Sequence, residues 1–251
     1  MPRPRPASMQ RLPRHGLARV LSKYGLCSRS EATAWVRAGR VTVNDHVVRD
    51  AEFPIDADRD RISLDGHQVA AHERIYVMLN KPRGLVTTAS DEQSRATVYS
   101  LLEGHDLPWL APVGRLDRAS EGLLLMTNDS VWAAGITEPA SSVSKTYHVQ
   151  IDRVPDQKLL DEIRLGVSDR NERLDASYVR ELRRGEKNAW LEIILDEGKN
   201  RHIRRLLAVF DIAVLRLIRV AIGPLILGDL GKGQWRRLSN GEAAVLANLS
   251  S

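Results

Sequence analysis

The run Gly122-Leu123-Leu124-Leu125-Met126-Thr127, closed by Asn128-Asp129, constrains this 251-residue chain more than any other segment. Successive side chains on a strand point to opposite faces, so a segment apolar at four consecutive positions has no solvent side. It reads as a buried strand, and it is far too short to cross a bilayer, which takes ~20 apolar residues. Other strands are expected at 75–79, running into a turn over 80–84, at 145–151, where apolar and polar residues alternate, and at 190–195. Ile203, Leu206, Leu207 and Phe210 recur at helical spacing and mark an amphipathic helix. Strands dominate this part of the chain, with helices between them.

The N-terminal part reads differently. Leu17, Val20, Leu21 and Tyr24 define one helix, which Gly25 ends. Ser28-Arg29-Ser30-Glu31 fits a capping box, with a hydroxyl at the N-cap and a carboxylate three residues on. Ala32, Trp35 and Val36 give the second helix its apolar face, and Gly39 stops it. Short strands at 41–43 and 47–48 flank an Asn44-Asp45 turn, and 61–64 alternates before Asp65-Gly66. Residues 1–13 are rich in Pro and Arg without apolar periodicity, and read as a disordered arm.

Charge sharpens this division. The net charge is +5, but residues 1–49 carry ten Arg or Lys against two acids. Residues 50–72 carry six acids against two Arg, and 199–219 carry six Arg or Lys against Asp211 alone. Two separated basic blocks suggest two contact surfaces on a polyanion. The single cysteine, Cys27, excludes an intramolecular disulfide. With no apolar leader and no membrane-length run, a cytoplasmic protein is expected.

Several chemistries find no support. There is no phosphate-binding G-x-x-x-x-G-K loop, no G-x-G-x-x-G and no H-E-x-x-H. The seven histidines are scattered, so no metal site and no cofactor are expected. One segment remains: Gly114-Arg115-Leu116-Asp117-Arg118-Ala119-Ser120-Glu121-Gly122. Asp117 lies between two arginines, which favour its ionised form. From these residues alone two readings stand, a surface ion pair or a reacting carboxylate.

The helix–helix–hairpin over 15–70 resembles the S4 RNA-binding domain. It does so at Arg19-Val20-Leu21, Gly25 through Ala32, and Gly39-Arg40-Val41-Thr42-Val43-Asn44. Gly114-Arg115-Leu116-Asp117, followed by Ser120-x-Gly122-Leu123-Leu124-Leu125-x-Thr127-Asn128, resembles the catalytic motif of RsuA-like pseudouridine synthases. Asn80-Lys81-Pro82-x-Gly84, Lys145-Thr146-Tyr147 and Glu197-Gly198-Lys199-Asn200-Arg201-His202-Ile203-Arg204-Arg205-Leu206 are similar to that family too, in the same order.

The resemblance implies an α+β fold. A disordered basic arm at 1–14 and a small S4 domain at 15–70 precede a larger synthase domain at 74–251, built on a mixed, mostly antiparallel β-sheet flanked by helices. It implies isomerisation of a specific uridine to pseudouridine in ribosomal RNA, the large-subunit RNA slightly favoured, after the base is flipped out. Asp117 is then the essential carboxylate, Tyr147 the active-site tyrosine, and Arg204 the basic residue that pairs with Asp117. Arg204 sits at the edge of the helix's buried stripe, with Arg201 and Arg205 as i,i+4 neighbours on its solvent side. RNA contacts are expected from Arg19, Lys23, Arg29, Arg37, Arg40, Lys81, Arg115, Lys199, Arg201 and Arg205. The partner is ribosomal RNA or an assembling ribosomal particle, with no membrane, and the chain is expected to be a monomer. A non-catalytic RNA-binding or ribosome-assembly protein and a transfer-RNA-directed synthase stand as alternatives.

Overall fold

The computed structural model describes residues 15–89, 91, 93–138, 141 and 143–249. The arm expected at 1–14 lies outside the described residues. The chain divides into two units between Glu73 and Arg74.

In the first unit, β1 (His15–Gly16) leads into α1 (Leu17–Lys23), and α2 (Arg29–Arg37) follows. Strands β2 (Val41–Val43), β3 (His46–Val47), β4 (Pro54–Ile55), β5 (Ile62–Leu64) and β6 (His67–Gln68) complete it. Helix α1 has no side-chain cap; the amides of Leu17 and Ala18 donate instead to the carbonyls of Phe53 and Ala51, both at 2.9 Å. Helix α2 begins as its capping residues dictate, with the Ser28 hydroxyl accepting from the Glu31 amide at 3.1 Å. It ends at Gly39, whose φ of +76° lets the Arg40 amide return to the Trp35 carbonyl. Leu17, Val20 and Leu21 of α1 pack with Ala32 and Val36 of α2 over Val41, Val43 and Ile62 of the sheet, which runs in the order β3-β2-β5-β6.

The second unit is a nine-stranded sheet with helices on it. In chain order it holds β7 (Tyr76–Lys81), a 3-10 turn (Val98–Leu101), β8 (Ala111–Val113), β9 (Glu121–Thr127), α3 (Ser130–Thr137), β10 (Lys145–Ile151) and α4 (Gln157–Leu165). Then come the hairpin β11 (Val167–Asp169) and β12 (Glu172–Leu174), β13 (Tyr178–Arg184), β14 (Ala189–Leu195), α5 (His202–Ala208) and β15 (Val214–Ile222). The unit closes with β16 (Leu225–Ile226), β17 (Trp235–Arg237) and α6 (Asn240–Leu249). The sheet order is β13-β14-β10-β15-β9-β7-β17, with β8 added to β9 and β16 to β15. Every pairing is antiparallel except β15 with β9.

The apolar run is explained by a core on each face of β9. Leu123 and Leu125 pack with Trp132 and Ile136 of α3 and Leu246 of α6. Leu124 and Met126 face the other way, against Val98, Leu110 and Leu116. All four are fully buried, each contributing about 1.5–3 kcal/mol of hydrophobic stabilisation. A third core joins Val149, Ile151, Leu191 and Ile193 of β10 and β14 to Ile163 of α4 and Ile203, Leu206 and Leu207 of α5.

Some expectations shift. Strand β7 continues through Asn80 and Lys81, both buried, so the turn begins at Pro82. The amphipathic helix ends at Ala208, and Phe210 packs beside the core from beyond it. Strands β13 and β15 carry arginines among their apolar residues and were not expected.

The parallel pairing of β15 with β9 depends on glycine. Gly122 pairs with Arg219 at φ +102°, and a Cβ on it would stand 2.3 Å from the Arg219 carbonyl oxygen. Gly122→Ala therefore requires two backbones to part, and should destabilise the protein by ~2–4 kcal/mol in urea unfolding. A loss under about 1 kcal/mol would mean that β9 and β15 can separate at little cost.

Candidate active site

The ends of β8, β10, β14, β15 and α3, the connection from β8 to β9 and the entry to α5 enclose a cleft of about 380 Å³. That suits a single nucleotide or small molecule. Asp117, Tyr147, Arg115, Lys145, Lys199, Arg201 and Arg219 all line it.

Asp117 lies on the connection between β8 and β9, and its carboxylate is about a third exposed. The connection is held from several sides. The Lys81 ammonium donates to the carbonyls of Asp117 (3.1 Å), Ser120 (2.8 Å) and Pro82 (3.2 Å). The Thr87 hydroxyl donates to the Leu116 carbonyl at 2.8 Å, and the Gly84 amide to the Arg118 carbonyl at 2.8 Å. Ser120 N–H closes a turn onto the Asp117 carbonyl at 2.9 Å. So restrained a backbone fixes where the Asp117 side chain leaves the loop at the cleft.

Lys81 thus stands apart from the RNA contacts expected of it. Its side chain is fully buried and its donors face backbone carbonyls, so no phosphate reaches it. The cause is the extra length of β7, which carries Lys81 inward beneath the Asp117 loop. Burial pushes its ammonium down to about 8, with Asp117 and Glu121 acting in the opposite direction.

The basic partner of Asp117 also differs from expectation. Arg201, not Arg204, makes the ion pair, Nη1 to Oδ2 at 3.7 Å. Arg201 departs from the position expected of it because it is the N-cap of α5, in a left-handed conformation at φ 50° and ψ 33°. It lies outside the helical series, and its side chain, still about half exposed, turns to line the cleft. Arg204 is half-buried behind the same loop, donating to Val214 and Ala119 carbonyls at 3.2 and 3.4 Å. Burial, and then the charge of Arg201, push the Arg204 guanidinium below its ordinary range, while Asp117 opposes them.

Arg205 is not the open cation that its helical position suggested. It pairs with Asp169 at 2.6 Å and Glu172 at 2.5 Å, tying α5 to the β11–β12 hairpin. Lys199 donates to the Arg173 carbonyl at 2.6 Å and pairs with Glu197. Arg115 is exposed at the cleft edge. Tyr147 is partly buried on β10, packed on both flanking cores with its ring at the cleft.

In the first unit, Arg19 and Arg37 are exposed and make no ion pair among the described residues. Lys23 contacts His15 at 3.2 Å. Arg29 lies 3.8 Å from Glu52, while Arg40 is bidentate to Asp65 and lies over the Trp35 ring.

Two of the Lys and Arg residues that line the cleft had no expected role, Lys145 and Arg219. Arg219 was visible only as one charge in the basic block, since the strand that carries it was not. Among the described residues no group of His, Cys, Asp and Glu is arranged to hold a metal, and no helix is long and apolar enough to cross a membrane.

The model described as RNA pseudouridylate synthase matches residues 75–209, more than half of the chain, and the S4 domain model matches 16–62. A relative from Aquifex aeolicus, named an RNA pseudouridine synthase, is 36% identical over 230 residues, covering 91% of this chain and 92% of its own. Ribosomal large subunit pseudouridine synthase B of Bacillus subtilis is 29% identical over 237 residues, 93% of this chain and 96% of its own. A crystal structure of a pseudouridylate synthase matches with a TM-score of 0.64 at 27% identity, covering 92% of this chain and 99% of that one.

The Lys81 ammonium has a measurable signature. Its pKa is about 8 when folded against an ordinary value of 10.5. Between those limits the unfolded chain binds the extra proton, so the wild type should gain stability over Lys81→Met as pH rises. The gain should be on the order of 2 kcal/mol. A stability difference that stays flat from pH 8 to 10.5 would show that the ammonium carries no burial penalty.

Proposed function

The chain belongs to the RNA pseudouridylate synthase family and is an RNA isomerase; on that premise we propose that it converts a specific uridine of large-subunit ribosomal RNA, with Asp117 as the reacting carboxylate. The observation that carries this reading is one cleft holding an ionisable, accessible Asp117 together with the Tyr147 ring.

A uridine in folded RNA must be unstacked and rotated outward before a carboxylate can reach it, which costs a few kcal/mol. Tyr147 offers a replacement stacking surface worth ~1–3 kcal/mol. Arg115, exposed at the rim, is placed to meet a flanking phosphate or the gap the base leaves. Arg201 holds the Asp117 carboxylate in position by its ion pair until the nucleotide arrives. Arg204, donating to the Ala119 carbonyl, acts on the loop's backbone and on the local field. The glycosidic C1′–N1 bond then breaks, the uracil turns within the cleft, and C5 bonds to C1′.

The S4 unit supplies a separate RNA surface. Arg19 and Arg37 are exposed helix cations that make no ion pair among the described residues, suited to phosphates and not to base edges. The name of the Bacillus subtilis relative favours large-subunit RNA over small-subunit RNA and transfer RNA. Cys27 is buried and unpaired, as suits a reducing compartment, and we place the reaction in the cytoplasm.

The test is pseudouridine mapping of total RNA from cells with and without this gene. One large-subunit uridine should lose its modification on deletion and regain it on complementation. Loss confined to transfer RNA, or no loss at all, would overturn the substrate reading. For the S4 surface, Arg19→Ala with Arg37→Ala should lower the salt dependence of RNA binding by about two phosphate contacts. An unchanged salt slope would remove both residues from the interface.

A further inference from the structure

Arg219 is 6% exposed, yet it lines the cleft and is poorly compensated. Its Nε donates to the Leu123 carbonyl at 2.7 Å. Its Nη2 is buried with no partner among the described residues, and no carboxylate pairs with it. A buried guanidinium left without a counterion is costly, and buried polar groups are nearly always satisfied. Because Arg219 lines the cleft, a polar group that enters there is placed to supply the missing acceptor.

A second cation stands beside it. Lys145, on the neighbouring strand, also lines the cleft and makes no ion pair among the described residues. Burial pushes its ammonium below the ordinary range, the charge of Arg219 pushes the same way, and Asp196 opposes. Tyr147, whose ring is the stacking surface, is the register partner of Arg219. Two donor-only groups thus flank the place where the base lies.

The chemistry needs such a site. Attack of the carboxylate on C1′, or loss of a ribose 2′ proton, breaks C1′–N1 and leaves its electron pair on uracil. Attack on C6 instead moves the C5–C6 π pair toward C5 and O4. In every route the base becomes anionic, with charge on its carbonyl oxygens. That pair later forms the C5–C1′ bond, and the C5 proton is lost.

Resting on the assignment of uridine isomerisation to this cleft, we propose that Arg219 and Lys145 together donate to a carbonyl oxygen of the flipped uracil and stabilise the negative charge it carries while detached or added to. Fixed donors aimed at developing charge in a water-poor site act mainly on the transition state. The two are catalytic in this sense, distinct from Asp117 and from the guanidinium that pairs with it.

The test uses an RNA fragment surrounding the uridine that mapping identifies, so an absent target appears in the mapping and not in this comparison. Arg219→Met should slow single-turnover isomerisation by ~10²–10³-fold while RNA affinity stays within about threefold. Lys145→Met, which breaks no backbone contact, should slow it by about tenfold. The same fragment with 5-fluorouridine at the target is then compared, following loss of that nucleoside after digestion. Fluorine stabilises the uracil anion, so the wild-type-to-variant ratio should shrink by about fivefold or more for both substitutions. A merely structural role for Arg219 lowers the active fraction equally on both substrates and leaves the ratio unchanged. An unchanged ratio, or rates within about threefold of wild type for both variants, would overturn the proposal.

Discussion

The close approach of β9 and β15 at Gly122 is the constraint on which the site depends. With no Cβ at that position, the two backbones meet in the parallel pairing of β15 with β9. This brings the Asp117 loop, at the start of β9, beside Arg219 on β15 and hence beside Tyr147 on β10. The hydrophobic cores on the two faces of β9 hold that junction in place, because none of its four central side chains can be exposed without large cost.

Around this junction, polar groups are spent on backbone. Lys81, Thr87, Gly84 and Arg204 all bond to the main chain of residues 116–120. Glu121, buried one residue past the loop, is held by Arg216 at 3.1 Å and Lys232 at 2.7 Å. Its burial alone disfavours ionisation, but those two cations outweigh that and keep its carboxyl below the ordinary range. Such an arrangement makes the loop rigid and leaves Asp117 as its exposed carboxylate, with only a single long ion pair to Arg201. A carboxylate on so well-anchored a loop needs little reorganisation to meet a group that enters the cleft.

Most of the first unit was legible because its signals are local. The Ser28 cap, the Gly25 and Gly39 stops and the Asn44-Asp45 turn each act within a few residues, and each behaves as its chemistry dictates. The four apolar positions of β9 were legible for the same reason. The gathering of Asp117 and Tyr147 was not, since thirty residues separate them and only resemblance to a family brought them together. Arg201 was misplaced because a left-handed N-cap breaks the 100° progression on which helical reasoning rests. The buried position of Lys81 has no local signature, because a lysine that follows an apolar strand has the pattern of a surface residue and only the distant Asp117 and Ser120 carbonyls draw it inward. The basic block at 199–219 concealed two elements. Its Arg216 and Arg219 lie on β15, not on the helix, and serve different ends: Arg216 pairs with Glu121 near Trp190, and Arg219 faces the cleft.

The central claim is that Asp117 performs the isomerisation in this cleft. It is tested most directly by release of tritium from large-subunit ribosomal RNA labelled at uracil C5, using wild-type protein and Asp117→Asn. The account predicts release by the wild type, a fall of at least about 10³-fold in the variant, and RNA affinity unchanged within about twofold. Release by Asp117→Asn at the wild-type rate would contradict it.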